Sequence, residues 1–286
     1  MKKKFWPTIF LFYFFFCASD TKAQNGLEAI IVEKYYISDA NDTAGNAVGG
    51  AIPIGSTTYR IYVDMLPGYR FHMAYGNKNH ELRISTSTKF FNNAHIGNVI
   101  PNVIPERNLK RNTVMLDSWL SAGAAGENYY GILKEDDDTT ETVVHEKSFL
   151  KNENPQAGIP LKYRDGLARG VKVPRPTFFR IDSIASIFNT QTIGSSFYTT
   201  DGAWACLGGS VGLDSLGKNR VLIAQLTTNG ILSFELNIQI GKINSKPEKY
   251  VARNPIDKEI QLPTLIYQSA EEKLISKKTN NKTKKN

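Results

Sequence analysis

Leu232, Phe234, Leu236, Ile238 and Ile240 alternate with Ser233, Glu235, Asn237 and Gln239, a period of two held over nine residues. Successive side chains of a strand point to opposite faces, so the pattern predicts a β-strand with one apolar and one polar face. Arg220 to Leu226 runs before it, joined through Thr227-Thr228-Asn229-Gly230. Asn-Gly between two such runs predicts a tight hairpin, because both turn positions favour φ > 0. Tyr59, Ile61, Val63 and Met65 repeat the alternation against Arg60, Tyr62 and Asp64. The turn signals Pro67-Gly68 and Gly76-Asn77-Lys78-Asn79 then divide off strands at Tyr69–Tyr75 and His80–Thr86, which reads as a meander.

Further strands are expected at Ala29–Ile37, Val114–Leu120, Tyr129–Leu133, Val143–Leu150 and Thr177–Ile181. Helical periodicity is confined to Asp182–Phe188. Many short strands separated by turn residues predict an all-β fold, an antiparallel β-sandwich of jelly-roll or Ig-like type with little helix. Long loops interrupt it at Asp39–Gly55, Asn92–Asn112 and Asn152–Pro176. Loops of that length in a domain are often functional, so they are the expected contact surface.

With 41% hydrophobic and 22% charged residues the chain is neither disordered nor fibrous, and 2 Cys cannot supply a disulfide framework. The ends depart from that average. Lys2-Lys3-Lys4, an apolar run from Phe5 to Cys17, and small residues at Thr21 and Ala23 have the three parts of a secretory signal peptide over residues 1–23. The alternative is a lipid anchor on Cys17, although Phe16 stands where that processing wants a small residue. No later run is long and apolar enough to span a bilayer, so a transmembrane protein is not expected. The net charge of +8 falls to +5 without the leader, and residues 271–286 carry six Lys against two Glu. The body is left near neutrality, which argues against a nucleic-acid partner. Residues 24–241 are read as one β domain, and 242–286 as an extension ending in a Lys/Asn-rich disordered tail.

Candidate chemistry is sparse. Gly208-Gly209-Ser210-Val211-Gly212 matches the nucleophile-elbow pattern, but no helix signal follows it and no His occurs after His145. Cys206, the only cysteine outside the leader, sits in Ala203-Trp204-Ala205-Cys206-Leu207 and reads as a buried core thiol rather than a partner of His145. His72, His80, His95 and His145 lack zinc spacing. Asp39, Asn41 and Asp42 form an oxygen-rich loop that suits calcium, the one cofactor considered, although Ala44 and Gly50 break the EF-hand pattern. The acidic run Glu135-Asp136-Asp137-Asp138 reads as a solvated loop. Trp119, Tyr129 and Tyr130 are the aromatic candidates for stacking on a ligand. A glycoside hydrolase would need two carboxylates facing each other across a cleft, and candidates such as Asp64, Asp117 and Glu235 occur in any chain of this size.

The ordered set Thr58-Tyr59-Arg60-Ile61-Tyr62-Val63, Ile84-Ser85-Thr86-Ser87-Thr88, Leu116-Asp117-Ser118-Trp119-Leu120, Gly202-Ala203-Trp204 and Arg220 to Leu226 resembles the N-terminal β module of uncharacterised exported bacterial surface proteins. Such proteins often carry a type IX secretion sorting domain. The resemblance implies export and a β fold and brings no catalytic residues with it. The expectation is a secreted, non-catalytic binding, adhesion or envelope-matrix module, placed outside the cell or at its surface, with the side of the outer membrane left open. Its expected partner is an extracellular glycan or a surface protein. The alternatives are a secreted polysaccharide hydrolase and a purely structural surface module.

Overall fold

The computed structural model describes residues 25–40, 42, 50–109, 112–137, 166–189 and 195–269. The leader, Asn41, His145, the expected strand at 143–150 and the Lys/Asn-rich tail lie outside the described residues. The described chain is mostly strand, arranged in several antiparallel sheets with little helix.

Numbered in chain order, β1 (Leu27–Ile37), β2 (Thr57–Met65), β12 (Asn219–Thr228) and β5 (Trp119–Leu120) form a central sheet in the order β1–β2–β12–β5. A six-stranded sheet runs β16 (Ile260–Gln261), β15 (Glu248–Val251), β14 (Ile238–Lys242), β3 (Tyr69–Tyr75), β11 (Ala203–Ser210) and β9 (Thr177–Phe179). A third sheet runs β10 (Ser196–Thr199), β4 (Leu82–Thr86), β13 (Leu232–Glu235) and β17 (Ile266–Gln268). A small fourth sheet joins β6 (Ala124–Gly126), β7 (Tyr129–Gly131) and β8 (Leu167–Arg169).

The strands fall where the alternation puts them, but their partners differ from the hairpin and meander expected. β12 pairs with β2 and β5, whereas β13 pairs with β4 and β17. The link through Asn229-Gly230 is therefore a corner between two sheets. Neither residue has positive φ, which a primed hairpin turn requires. β2, β3 and β4 likewise lie in three different sheets. The nine-residue alternation is split between β13 and β14, and the switch falls at Asn237. Its buried Nδ2 donates to the Tyr75 and Glu81 carbonyls at 3.1 Å each, satisfying backbone groups where the pairing changes.

The central sheet is buried on both faces. Ile61, Val63 and Met65 of β2, with Val221 and Ile223 of β12, enter a cluster with Phe71, Ile84, Phe197, Trp204, Phe234, Ile238 and Tyr250 from the other two large sheets. Edge-on and stacked contacts run from Phe90 through Phe188 and Phe197 to Trp204, with centroid separations of 5.1, 5.5 and 6.2 Å. The opposite face carries Tyr35, Tyr36, Tyr62 and Leu222 into a second cluster with Phe91, Ile104, Leu109, Leu116, Trp119, Tyr129 and Leu167.

That second cluster changes the reading of the long loops. Ile104 and Leu109 belong to the 92–112 loop, Leu167 to the 152–176 loop and Ile52 to the 39–55 loop, and all four are buried. The described parts of these loops cover an apolar sheet face instead of standing free as contact surface. Val114–Leu120, expected as a strand, is a 3-10 turn at Asn112–Leu116 followed by the two-residue β5. Arg60, fully buried on β2, fastens this layer. Its guanidinium lies 3.5 Å from the Tyr35 ring centroid, donates from Nε to Gln225 Oε1 (2.8 Å) and from Nη1 to the Gly166 carbonyl (2.7 Å). Gln225 then donates to the Met115 and Asp117 carbonyls.

Residues beyond 241 also belong to the folded body. β15, β16 and β17 complete two sheets, and Tyr250 and Leu265 are buried in the first cluster. The folded body thus includes residues to at least Ser269, past the boundary expected at residue 241. Glu248 holds its start as well, accepting hydrogen bonds from the Gly26 N–H, the Tyr69 hydroxyl and the Tyr250 hydroxyl.

Candidate functional site

A shallow groove of about 300 Å³ lies on the outer face of the six-stranded sheet, lined by Met73, Tyr75, Phe179, Asp201, Gln239 and Lys249 with the backbone of Gly76, Asn77, Gly202 and Ala203. Strand alternation builds it. Phe71 and Ala74 of β3, Ile238 and Ile240 of β14, and Tyr250 of β15 turn into the core. The residues between them, Met73, Gln239 and Lys249, are left for the other face. On β9, Phe178 packs inward while Phe179 leaves its ring 45% exposed. The strand ends at Arg180, which has φ of 55° and bonds Asp201 Oδ2 at 3.2 Å on the groove rim.

The groove is furnished with unused polar groups. Among the described residues, the Gln239 amide and the Lys249 ammonium have no hydrogen-bond or ion-pair partner. Asn77 spends its Oδ1 on the Asn79 and His80 N–H groups, leaving its amide nitrogen. Tyr75 is 7% exposed, and its buried hydroxyl has no hydrogen-bond partner among the described residues. Burial, and after it the Glu259 carboxylate, push that hydroxyl well above the ordinary tyrosine range, so it remains protonated and able to donate. A buried polar group left unpaired costs about 1–3 kcal/mol. Asp201 is the one carboxylate among the lining residues.

A second cleft, of about 310 Å³, lies between Ile132–Asp136 and Leu213–Arg220. Four of its five charged residues are paired, and the fifth, Asp214, accepts the Gly217 N–H. Arg220 bonds Asp64, Glu135 and Asp136 at 3.2, 3.3 and 2.7 Å, and Lys218 bonds Asp136. Burial acts to raise the Asp136 carboxyl, but hydrogen bonds from Lys218 and Arg220 outweigh it and hold the group below its ordinary range.

The residues singled out from the sequence are scattered. Trp119 and Tyr129 are buried in the second cluster, where they pack and present no ring to solvent. Tyr130, on the other face of β7, is half-buried and bonds the Lys172 carbonyl. Asp42 accepts from the Asp39 N–H at 2.8 Å and from the Tyr36 hydroxyl at 3.3 Å, and burial pushes its carboxyl up to about 6. Asn41 is outside the described residues, among which no group of three acidic, His or Cys side chains could hold a metal ion. Asp64 pairs with Arg220 and Glu235 with Arg253, while Asp117 is wholly buried, so the three carboxylates share no cleft. Cys206 is half-buried instead of a core thiol, and burial raises its pKa. Ser210 ends β11 after Gly208 and Gly209, whose φ values of 83° and 74° form a bulge. No helix follows it to make an elbow.

Phe179, Tyr75, Gln239 and Lys249 were not identified from the sequence. They converge from four strands, and the sequence signals nearest to them are the expected strands Tyr69–Tyr75 and Thr177–Ile181 and the polar face of the alternating run that carries Gln239. Compared with protein-family models, with curated proteins and with solved structures, the chain finds no match.

Proposed function

We propose that the chain is a secreted, non-catalytic binding module, an antiparallel β-sandwich of jelly-roll or Ig-like type that acts in adhesion or as an envelope-matrix component. Its partner is engaged on the outer face of the six-stranded sheet. The observation that carries this reading is the groove itself, where an exposed Phe179 shares the lining with the Gln239 amide and the Lys249 ammonium, neither of which has a partner among the described residues. Sites of this kind, a few convergent polar groups beside an aromatic surface, are how proteins orient a partner.

The test is binding of the labelled full chain to envelope fractions of the cells that make it. Saturable binding is expected, and Gln239→Trp, which fills the groove, is expected to weaken it by at least about tenfold. Equal binding by the variant removes the assignment to this face. No saturable binding at all removes the function.

A further inference from the structure

We propose that the groove takes a pyranose ring of an extracellular polysaccharide, an inference that rests on the binding-module reading above and names its ligand. The lining residues Met73, Gln239 and Ala203 belong to β3, β14 and β11, interior strands of the six-stranded sheet whose neighbours lie on both sides. Their main-chain groups are already committed to the sheet, so a peptide cannot add over these three strands, and strand addition is confined to the edges at β9 and β16. Recognition is left to side chains. The floor at Gly76, Gly202 and Ala203 has low relief, and Met73 is the only large aliphatic among the lining residues. That is poor ground for the apolar anchor of a protein interface.

The same set fits a sugar ring. A pyranose offers one flat face of C–H groups and a rim of hydroxyls, each hydroxyl both donor and acceptor. Phe179 supplies an exposed apolar ring for the flat face. The Gln239 amide, the Asn77 nitrogen and the Asp201 carboxylate supply both donors and acceptors for the rim. Lys249 adds a cation with no ion pair among the described residues, so a ring carrying a carboxylate gains one further contact.

The experiment is affinity electrophoresis of the full chain through gels containing laminarin, xylan, alginate or polygalacturonate, with titration calorimetry on any that retards it. Retardation by at least one is expected, weakened at least about tenfold by both Phe179→Ala and Gln239→Ala, each of which leaves the melting temperature within a few degrees. Loss on Lys249→Gln for alginate or polygalacturonate alone identifies a uronate ring, and no such loss a neutral one. Retardation that survives both Phe179→Ala and Gln239→Ala overturns the inference. So does failure of all four polysaccharides. If envelope binding persists in that case and is still lost on Gln239→Trp, the sugar class is wrong and the binding module stands.

Discussion

Asp117 is a carboxyl wholly enclosed beneath the layer that covers the central sheet. Its Oδ1 accepts the Asn93 N–H at 2.7 Å, and its Oδ2 has no hydrogen-bond partner among the described residues. Burial raises its pKa well above the ordinary range, and the backbone N–H groups of Asn93 and Asn98 offset only part of that rise. The folded chain therefore holds a proton that the unfolded chain releases near its ordinary value of about 3.9. The associated stability is fully present below that value and drains away as the pH rises toward the folded pKa, because the folded state then binds more protons. Asp117→Asn keeps the acceptor for Asn93 and removes the titration. The melting temperature of the variant is expected to gain on that of the parent as the pH rises above about 4. The gain is about 1.4 kcal/mol for every tenfold difference in proton affinity between folded and unfolded Asp117 that the substitution abolishes. Asp42, pushed up to about 6, and Glu33, also raised by burial, titrate in both proteins and cancel from the comparison. Parallel pH profiles would mean that Asp117 is ionised in the fold. The same burial disposes of this residue as half of a catalytic pair, a role open to any aspartate when only its place in the sequence is known.

At the scale of elements, the corner at Asn229-Gly230 separates two explanations of one dipeptide. In a primed hairpin Asn and Gly are selected for positive φ, and replacing either is costly. Here neither φ is positive, and a Cβ on Gly230 would lie 2.4 Å from Thr86 Oγ1 and 2.5 Å from Thr88 Oγ1. Glycine is required by crowding. Gly230→Ala is expected to cost about 1–3 kcal/mol through overpacking. Asn229→Ala gives up an exposed hydrogen bond to Thr88 and is expected to cost less than about 1 kcal/mol. Urea titrations of the two variants decide it, and equal losses would restore the hairpin geometry. Alternation in the sequence showed where Tyr59–Met65, Tyr69–Tyr75 and Leu232–Ile240 are extended, because side-chain direction is local. It could not show that β2 pairs with β12 or that Asn237 divides one alternating run between two sheets, since pairing depends on residues more than 150 positions apart. For the same reason the groove was invisible: Tyr75, Phe179, Gln239 and Lys249 share a face only after the sheet has formed.

For the whole molecule, the unit that folds is set by where the sheets are completed. Composition changes near Lys242, which reads as the start of an extension, yet β15 and β16 finish the six-stranded sheet and β17 closes the third sheet against β13. Tyr250, Val251 and Leu265 are fully buried, and Ser269 exchanges hydrogen bonds with Leu232 through its N–H and its Oγ. His80 Nε2 and Glu259 Oε2, 2.6 Å apart, tie the segment back to the turn after β3. Burying one large apolar side chain stabilises by about 1.5–3 kcal/mol, so removing three of them with two sheet edges approaches the entire stability of a domain, about 5–15 kcal/mol. A chain ended after Lys242 is therefore expected to be unfolded or insoluble, whereas one ended after Ser269 is expected to melt cooperatively near the full-length temperature. Far-UV circular dichroism with thermal melts distinguishes them. Cooperative melting of the shorter chain would show that residues 248–269 only dress a core complete without them. The groove would then lose Lys249 and keep Phe179, Gln239 and Tyr75, so sugar retention by that shorter chain would also report how much of the site depends on the final strands.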